Sequence, residues 1–187
     1  MRARPTLLGL DPGFASFGWT VLELGASAAD DRVLRCGVIH TEKSAKKRSV
    51  RASDDNLRRT REIIRVVCDL FDGHEPVALA AESFSPPRNA SNAAKVAFAW
   101  GAIAAIADHQ RDTPILQCSP QELKVAVTDT KTASKKEIED ALARRYPEAK
   151  GFVDGFPDGD HEHLWDAIGA AHACLDTEVV RLARRMR

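Results

Sequence analysis

The chain has no CxxC pair, no glycine-rich phosphate loop and no net charge. Its four cysteines, Cys36, Cys68, Cys118 and Cys174, are scattered, which excludes a zinc ribbon or a disulfide framework recognisable from spacing. They read as small apolar residues of a reducing cytoplasm. The missing phosphate loops argue against an actin-like nucleotide-binding fold, which also begins with a strand, an aspartate and a turn. No apolar run reaches membrane length without interruption. Met1-Arg2-Ala3-Arg4-Pro5 leads straight into a strand without a secretory apolar segment, so a cytoplasmic protein with no membrane partner is expected. A formal net charge of +0 argues against indiscriminate nucleic-acid binding.

The charges that are present are segregated. Lys43, Lys46, Lys47, Arg48, Arg51, Arg58, Arg59 and Arg61 form a basic stretch, and acids gather between Asp154 and Asp166. Such a stretch is usually a solvated face, and it permits a polyanionic partner. With 187 residues, 44% hydrophobic and 29% charged, one domain over residues 1–187 with a sizeable core is expected.

The pattern begins with an apolar strand, Leu7 to Asp11, that ends in a carboxylate before a Pro-Gly turn. Phe17–Leu24 and Arg32–His40 follow at hairpin spacing, so the first three strands form an antiparallel meander. A helix starts near Ser53, capped by Ser53 or Asp54, and stops at Gly73 and Pro76. Val77–Glu82 is a second buried strand that ends in one acid. The next helix, to about Ala107, is apolar almost all round, as either a central helix or a dimer interface would be. After a strand at Pro114–Cys118, Ser119-Pro120 opens one helix and the Ser134/Glu137 capping box opens another. Gly151–Asp160 reads as a solvated acidic loop without the EF-hand order of ligands, and a last helix runs from about Glu162 past Leu175. The later strands alternate with helices and should lie parallel to the first. The fold class is therefore α/β, a mixed five-stranded sheet flanked by helices.

If the two acid-tipped strands are parallel neighbours, Asp11 and Glu82 emerge at one sheet edge, where α/β proteins keep their sites. His163 and Asp166, three residues apart, share a helix face that can stand over that edge. Glu162, four residues from Asp166, is a rival ligand. Three carboxylates and an imidazole suit Mg²⁺, with Mn²⁺ also acceptable. Two such ions about 3.5–4 Å apart would clamp the attacking and leaving oxygens of a phosphodiester.

Gly9-Leu10-Asp11-Pro12-Gly13 followed by Gly18-Trp19 resembles the first-strand motif of the RuvC-type Holliday-junction resolvases, members of the RNase H-like superfamily. Ala81-Glu82 with Arg88-Asn89-Ala90 is similar to their second motif, and Lys124 with Lys131 to Lys136 to their lysine-bearing segment. His163-Leu-Trp-Asp166 and His172 resemble their closing acidic motif. The resemblance implies an RNase H-like endonuclease that acts as a homodimer and nicks opposed strands of a four-way junction, leaving 5′-phosphate and 3′-hydroxyl ends. It also implies Asp11, Glu82, His163 and Asp166 as catalytic metal ligands, and DNA contacts at Arg88, Asn89, Lys124 and Lys135. Lys131 is added from its charge and position. A family aromatic wedge would fall at Ser85, and adjacent Phe84 is either its substitute, stacking on an unpaired base, or a core residue. A branch-migration helicase is an expected partner. The rival readings are a nuclease for branched DNA in general, another RNase H-like nuclease, and a junction-binding module without catalysis.

Overall fold

The computed structural model describes residues 4–45, 50–83, 89–110 and 112–186. Five strands, β1 (Thr6–Asp11), β2 (Ser16–Glu23), β3 (Arg32–His40), β4 (Ala78–Glu82) and β5 (Ile115–Cys118), form one sheet in the order β3-β2-β1-β4-β5. β1, β2 and β3 pair antiparallel, while β4 runs parallel to β1 and β5 parallel to β4. The mixed sheet expected from the pattern is present.

Alternation along the strands divides the core into two layers. Leu8, Leu10, Leu79 and Ala81 face α1 (Ala52–His74) and α2 (Ala90–His109), packing with Ile63, Val67, Ile103 and Ile106. Leu7, Ala78 and Ala80 face the opposite way, into a layer built with Leu142, Tyr146, Leu164 and Ile168. That layer holds α3 (Pro120–Thr128), α4 (Lys135–Arg145), α5 (Pro147–Val153), α6 (Asp158–Ala173) and α7 (Glu178–Arg185). By the same period of two, Asp11 and Glu82 fall on the α6 side.

Local chemistry sets several boundaries. Ser119 Oγ accepts from the Glu122 N–H at 3.2 Å and Glu122 returns the bond to the Ser119 N–H at 2.7 Å, which opens α3 with Pro120 at its first position. Ser134 and Glu137 do the same for α4.

Elsewhere the structure corrects the pattern. α1 begins at Ala52 with no side-chain cap from Ser53 or Asp54. The expected loop at 151–160 is partly helical: Pro147 starts α5, and α6 begins at Asp158, directly after Pro157. Proline favours helix starts because its missing N–H has no partner there to lose. Asp160 is buried and pairs with His40, 3.0 Å from Nε2 to Oδ2, so it is not a solvated acid. The last helix is two helices, with α6 ending at Ala173 and α7 following.

α2 is long and apolar enough to cross a membrane by length and composition. Its Ile103 and Ile106 are buried against the sheet, whereas Ala94, Ala97, Phe98, Gly101, Ala104 and Ala105 are exposed.

Candidate active site

The strands bring Asp11 and Glu82 together through register. Leu10 pairs with Ala81 on the parallel neighbours β1 and β4, and one step further along each strand stands an acid. α6 crosses this end of the sheet at close range because two glycines lie beneath it. A Cβ on Gly9 would stand 2.3 Å from the Ala167 carbonyl oxygen, and one on Gly18 would stand 2.2 Å from that of His163. Both distances are impossible for real atoms, so only glycine admits the helix there.

The close approach sets His163 on Asp11. His163 Nδ1 donates to Asp11 Oδ2 at 2.6 Å, across 152 residues of sequence. The bond to Asp11 favours the imidazolium and raises the His163 pKa despite partial burial. Asp166, one turn further along α6, is pushed up to about 6, first by burial and then by the Asp11 charge. Burial and Asp11 raise Glu82 as well. Lys135, at the start of α4, acts on both acids in the opposite direction. Four side chains from three separate parts of the chain therefore share one electrostatic environment, in which carboxylates outnumber cations.

Lys135 also pairs with Glu162. Both border a cavity of about 330 Å³ that reaches Asp166, His161 and Trp165. Among the described residues no three His, Cys, Asp or Glu side chains stand close enough to share one ion. The chemistry of the donor set nevertheless fits a hard divalent cation: oxygen ligands in excess, one imidazole, and acids whose protonation is favoured by mutual repulsion.

The other expected site residues divide. Asn89 caps α2, its Oδ1 accepting from the Ser91 and Asn92 N–H groups at 2.9 and 3.3 Å. Lys124 on α3 is half-buried and Lys131 in the following loop is exposed, and among the described residues no hydrogen bond or ion pair joins them to the four site residues. Phe84 and Arg88 lie outside the described residues, as do Lys46, Lys47 and Arg48. His172 belongs to the core instead: Tyr146 Oη donates to its Nδ1 at 2.8 Å and burial lowers its pKa. The pattern alone did not reveal Gly9 and Gly18 as the seat of α6, although both stood in the first motif.

A family model for the crossover junction endodeoxyribonuclease RuvC matches residues 7–145. The chain belongs to the RuvC family. The match includes Asp11 and Glu82 and ends before His163 and Asp166, whose inclusion rests on the α6 geometry. Among RuvC relatives, the crossover junction endodeoxyribonuclease of Pseudothermotoga lettingae is 28% identical over 136 residues, 73% of this chain and 76% of that protein. That of Bacteroides fragilis is 27% identical over 166 residues, 89% of this chain and 79% of its own length. In fold, the chain resembles Thermus thermophilus RuvC solved in complex with a Holliday junction substrate (TM-score 0.70, 23% identity, 91% of this chain and 92% of that one). It also resembles the yeast mitochondrial Holliday junction resolvase Ydc2 (TM-score 0.67, 11% identity, 99% of this chain and 83% of that one). The RNase H-like fold of RuvC is thus the fold of this chain.

Proposed function

We propose that this RuvC-family chain is a single-domain endodeoxyribonuclease that resolves four-way DNA junctions by paired nicks. What supports the reading is that β1 and β4 end in Asp11 and Glu82 on adjacent parallel strands, with α6, which carries His163 and Asp166, joined to that edge by the 2.6 Å His163–Asp11 contact. The relatives' names and the junction bound to the Thermus thermophilus protein support the substrate.

Asp11, Glu82, Asp166 and His163 would hold divalent cations, Mg²⁺ in the first instance, two per site, with Mn²⁺ as a substitute. When bound, they would supply charge stabilisation to the attacking and leaving oxygens of the phosphodiester. The protein's own part is positional. The sheet edge fixes Asp11 and Glu82, while α6 fixes His163 and Asp166. His163 keeps its Nδ1 proton on Asp11, which leaves Nε2 as the ring nitrogen free to act as a ligand. Lys135 supplies the positive charge beside the acids that a DNA phosphate needs for its approach, and Lys124, Lys131, Arg88 and Asn89 would contact the arms. Phe84 would stack on an unpaired base.

A homodimer fits the exposed face of α2, where small residues allow a second helix close approach: a Cβ on Gly101 would meet nothing within 4 Å. Two sites in a dimer would nick opposed strands, with a branch-migration helicase supplying the junction in the cytoplasm.

The test is cleavage of four-way, three-way and flap DNA and of an RNA–DNA hybrid with Mg²⁺, by the wild type and by Asp11→Asn. Cutting confined to the four-way junction and lost in the variant is expected. Equal cutting of all branched forms would widen the substrate class, and equal cutting by both proteins would remove the site assignment.

A further inference from the structure

The basic stretch read as a solvated face contains one arginine that is not solvated. Arg59 on α1 is 3% exposed, and among the described residues it forms no ion pair. Burial of a guanidinium is costly without compensation, and its hydrogen-bond partners here are Thr41, just after β3, and Phe14, in the turn after β1, with the Asp55 and Glu62 charges of α1 also favouring it. Arg59 Nε donates to Thr41 Oγ1 at 2.9 Å and its Nη2 to the Phe14 carbonyl oxygen at 3.4 Å. The guanidinium carbon lies 4.3 Å from the centroid of the Phe14 ring. Thr41 Oγ1 donates to the same Phe14 oxygen at 2.5 Å, and the Thr41 N–H donates to Ala15 O at 2.9 Å.

Phe14 belongs to the turn that leaves Asp11. Within that turn the Gly13 N–H donates to the Asp11 carbonyl oxygen at 2.8 Å, and a Cβ on Gly13 would lie 3.9 Å from His163 Cε1. On its other side the Phe14 ring meets Phe98 of α2, with centroids 6.0 Å apart. The turn beside the acids is therefore held at its ring and its carbonyl by α1, and flanked by the helix whose outer face is exposed. An apolar side chain could fill the same space, but it could not hold the carbonyl.

We propose that Arg59 is a positioning residue for the reaction, acting through Thr41 and Phe14 to hold the turn that orients Asp11 toward His163. The proposal rests on the site reading above, and its test keeps the two apart. Arg59→Met keeps the stem and removes charge and donors, while Arg59→Lys keeps the charge. Asp11→Asn serves as the reference. For each, the single-turnover cleavage rate of a four-way junction is measured at saturating protein with Mg²⁺, beside the junction Kd without divalent cation and the thermal midpoint.

Arg59→Met is expected to cut about 10- to 100-fold more slowly at saturation, the scale of a misplaced reacting group. Its Kd should stay within about twofold of the wild type, since no direct DNA contact is removed. Arg59→Lys should recover part of the rate. A wild-type rate at saturation in folded Arg59→Met, with only the midpoint lowered, would overturn the proposal. Should Arg59→Met fail to fold, Thr41→Val removes the bridging hydroxyl at nearly constant shape. A slower rate with unchanged Kd supports the proposal, and a wild-type rate overturns it. Asp11→Asn cutting like the wild type would instead overturn the site reading.

Discussion

The two ends of the sheet treat their acids in opposite ways. At the end where β2 leaves and β3 enters, Asp31 is fully buried as a side chain and its charge is answered in full. Arg184 of α7 donates from both terminal nitrogens, 2.6 Å each, and the Gly25 N–H donates at 2.7 Å. At the other end, Asp11, Glu82 and Asp166 face one another with Lys135 and His163 as the cations nearby. An acid whose partners all belong to the protein stabilises the fold. Acids such as Glu82 and Asp166, raised first by burial and then by the Asp11 charge, are held for a charge that the protein does not itself provide.

The comparison would break if the rim acids could be neutralised without loss. Asp11→Asn, Glu82→Gln and Asp166→Asn are each expected to lower cleavage by at least about a thousandfold, the upper range for losing a charged group from a transition-state site. Binding of four-way DNA should be kept or tightened, because a repulsive charge is gone; gel-shift titration beside the cleavage assay checks both. The opposite end should answer in stability alone. Arg184→Met strands a buried carboxylate at a cost of about 3–5 kcal/mol. A thermal midpoint lower by roughly 10 °C is therefore expected, with unchanged cleavage per folded molecule.

Gly18→Ala joins the two behaviours. Its methyl group would force α6 off the sheet, so scanning calorimetry should register a loss of stability and the nuclease assay a larger loss of activity. The fourth expectation concerns pH. Asp166, near 6 in the folded chain against 3.8 as the ordinary value, binds more protons when folded than unfolded between those pH values. Its contribution to stability is therefore favourable in acid and is lost as pH rises toward 6. Added Mg²⁺ should raise the thermal midpoint more at pH 7.5 than at pH 5, and an equal rise at both would place the ion elsewhere. The smallest effect belongs to the surface cations: Lys124→Ala or Lys131→Ala should lower the slope of log affinity against log salt by about one.

Much of this was legible from spacing. The strand tips, the Ser119-Pro120 helix start, the Ser134/Glu137 capping box and the parallel later strands follow from periods of two and 3.6 and from local hydrogen bonding. Asp11 and Glu82 could be paired because parallel neighbours end at the same edge. Pro157 and the glycines and acids around it misled the reading at 151–160, where proline starts helices as readily as it marks loops. Arg59 was grouped with its basic neighbours because sequence position carries charge but not burial. Spacing left Glu162 beside His163 as a rival ligand; in the structure His163 contacts Asp11 and Glu162 pairs with Lys135.

By itself the order of residues determined the five strands, most of the helices up to α4, which strands would end in acids, and the resemblance to RuvC, all of which are short-range or pattern-borne. Tertiary structure alone decided that α6 settles on Gly9 and Gly18, that His163 rather than Glu162 meets Asp11, and that Asp31 rather than Asp166 receives an arginine. Those outcomes depend on close packing between segments more than 100 residues apart in sequence, where a single Cβ or one ion pair determines which side chains can meet.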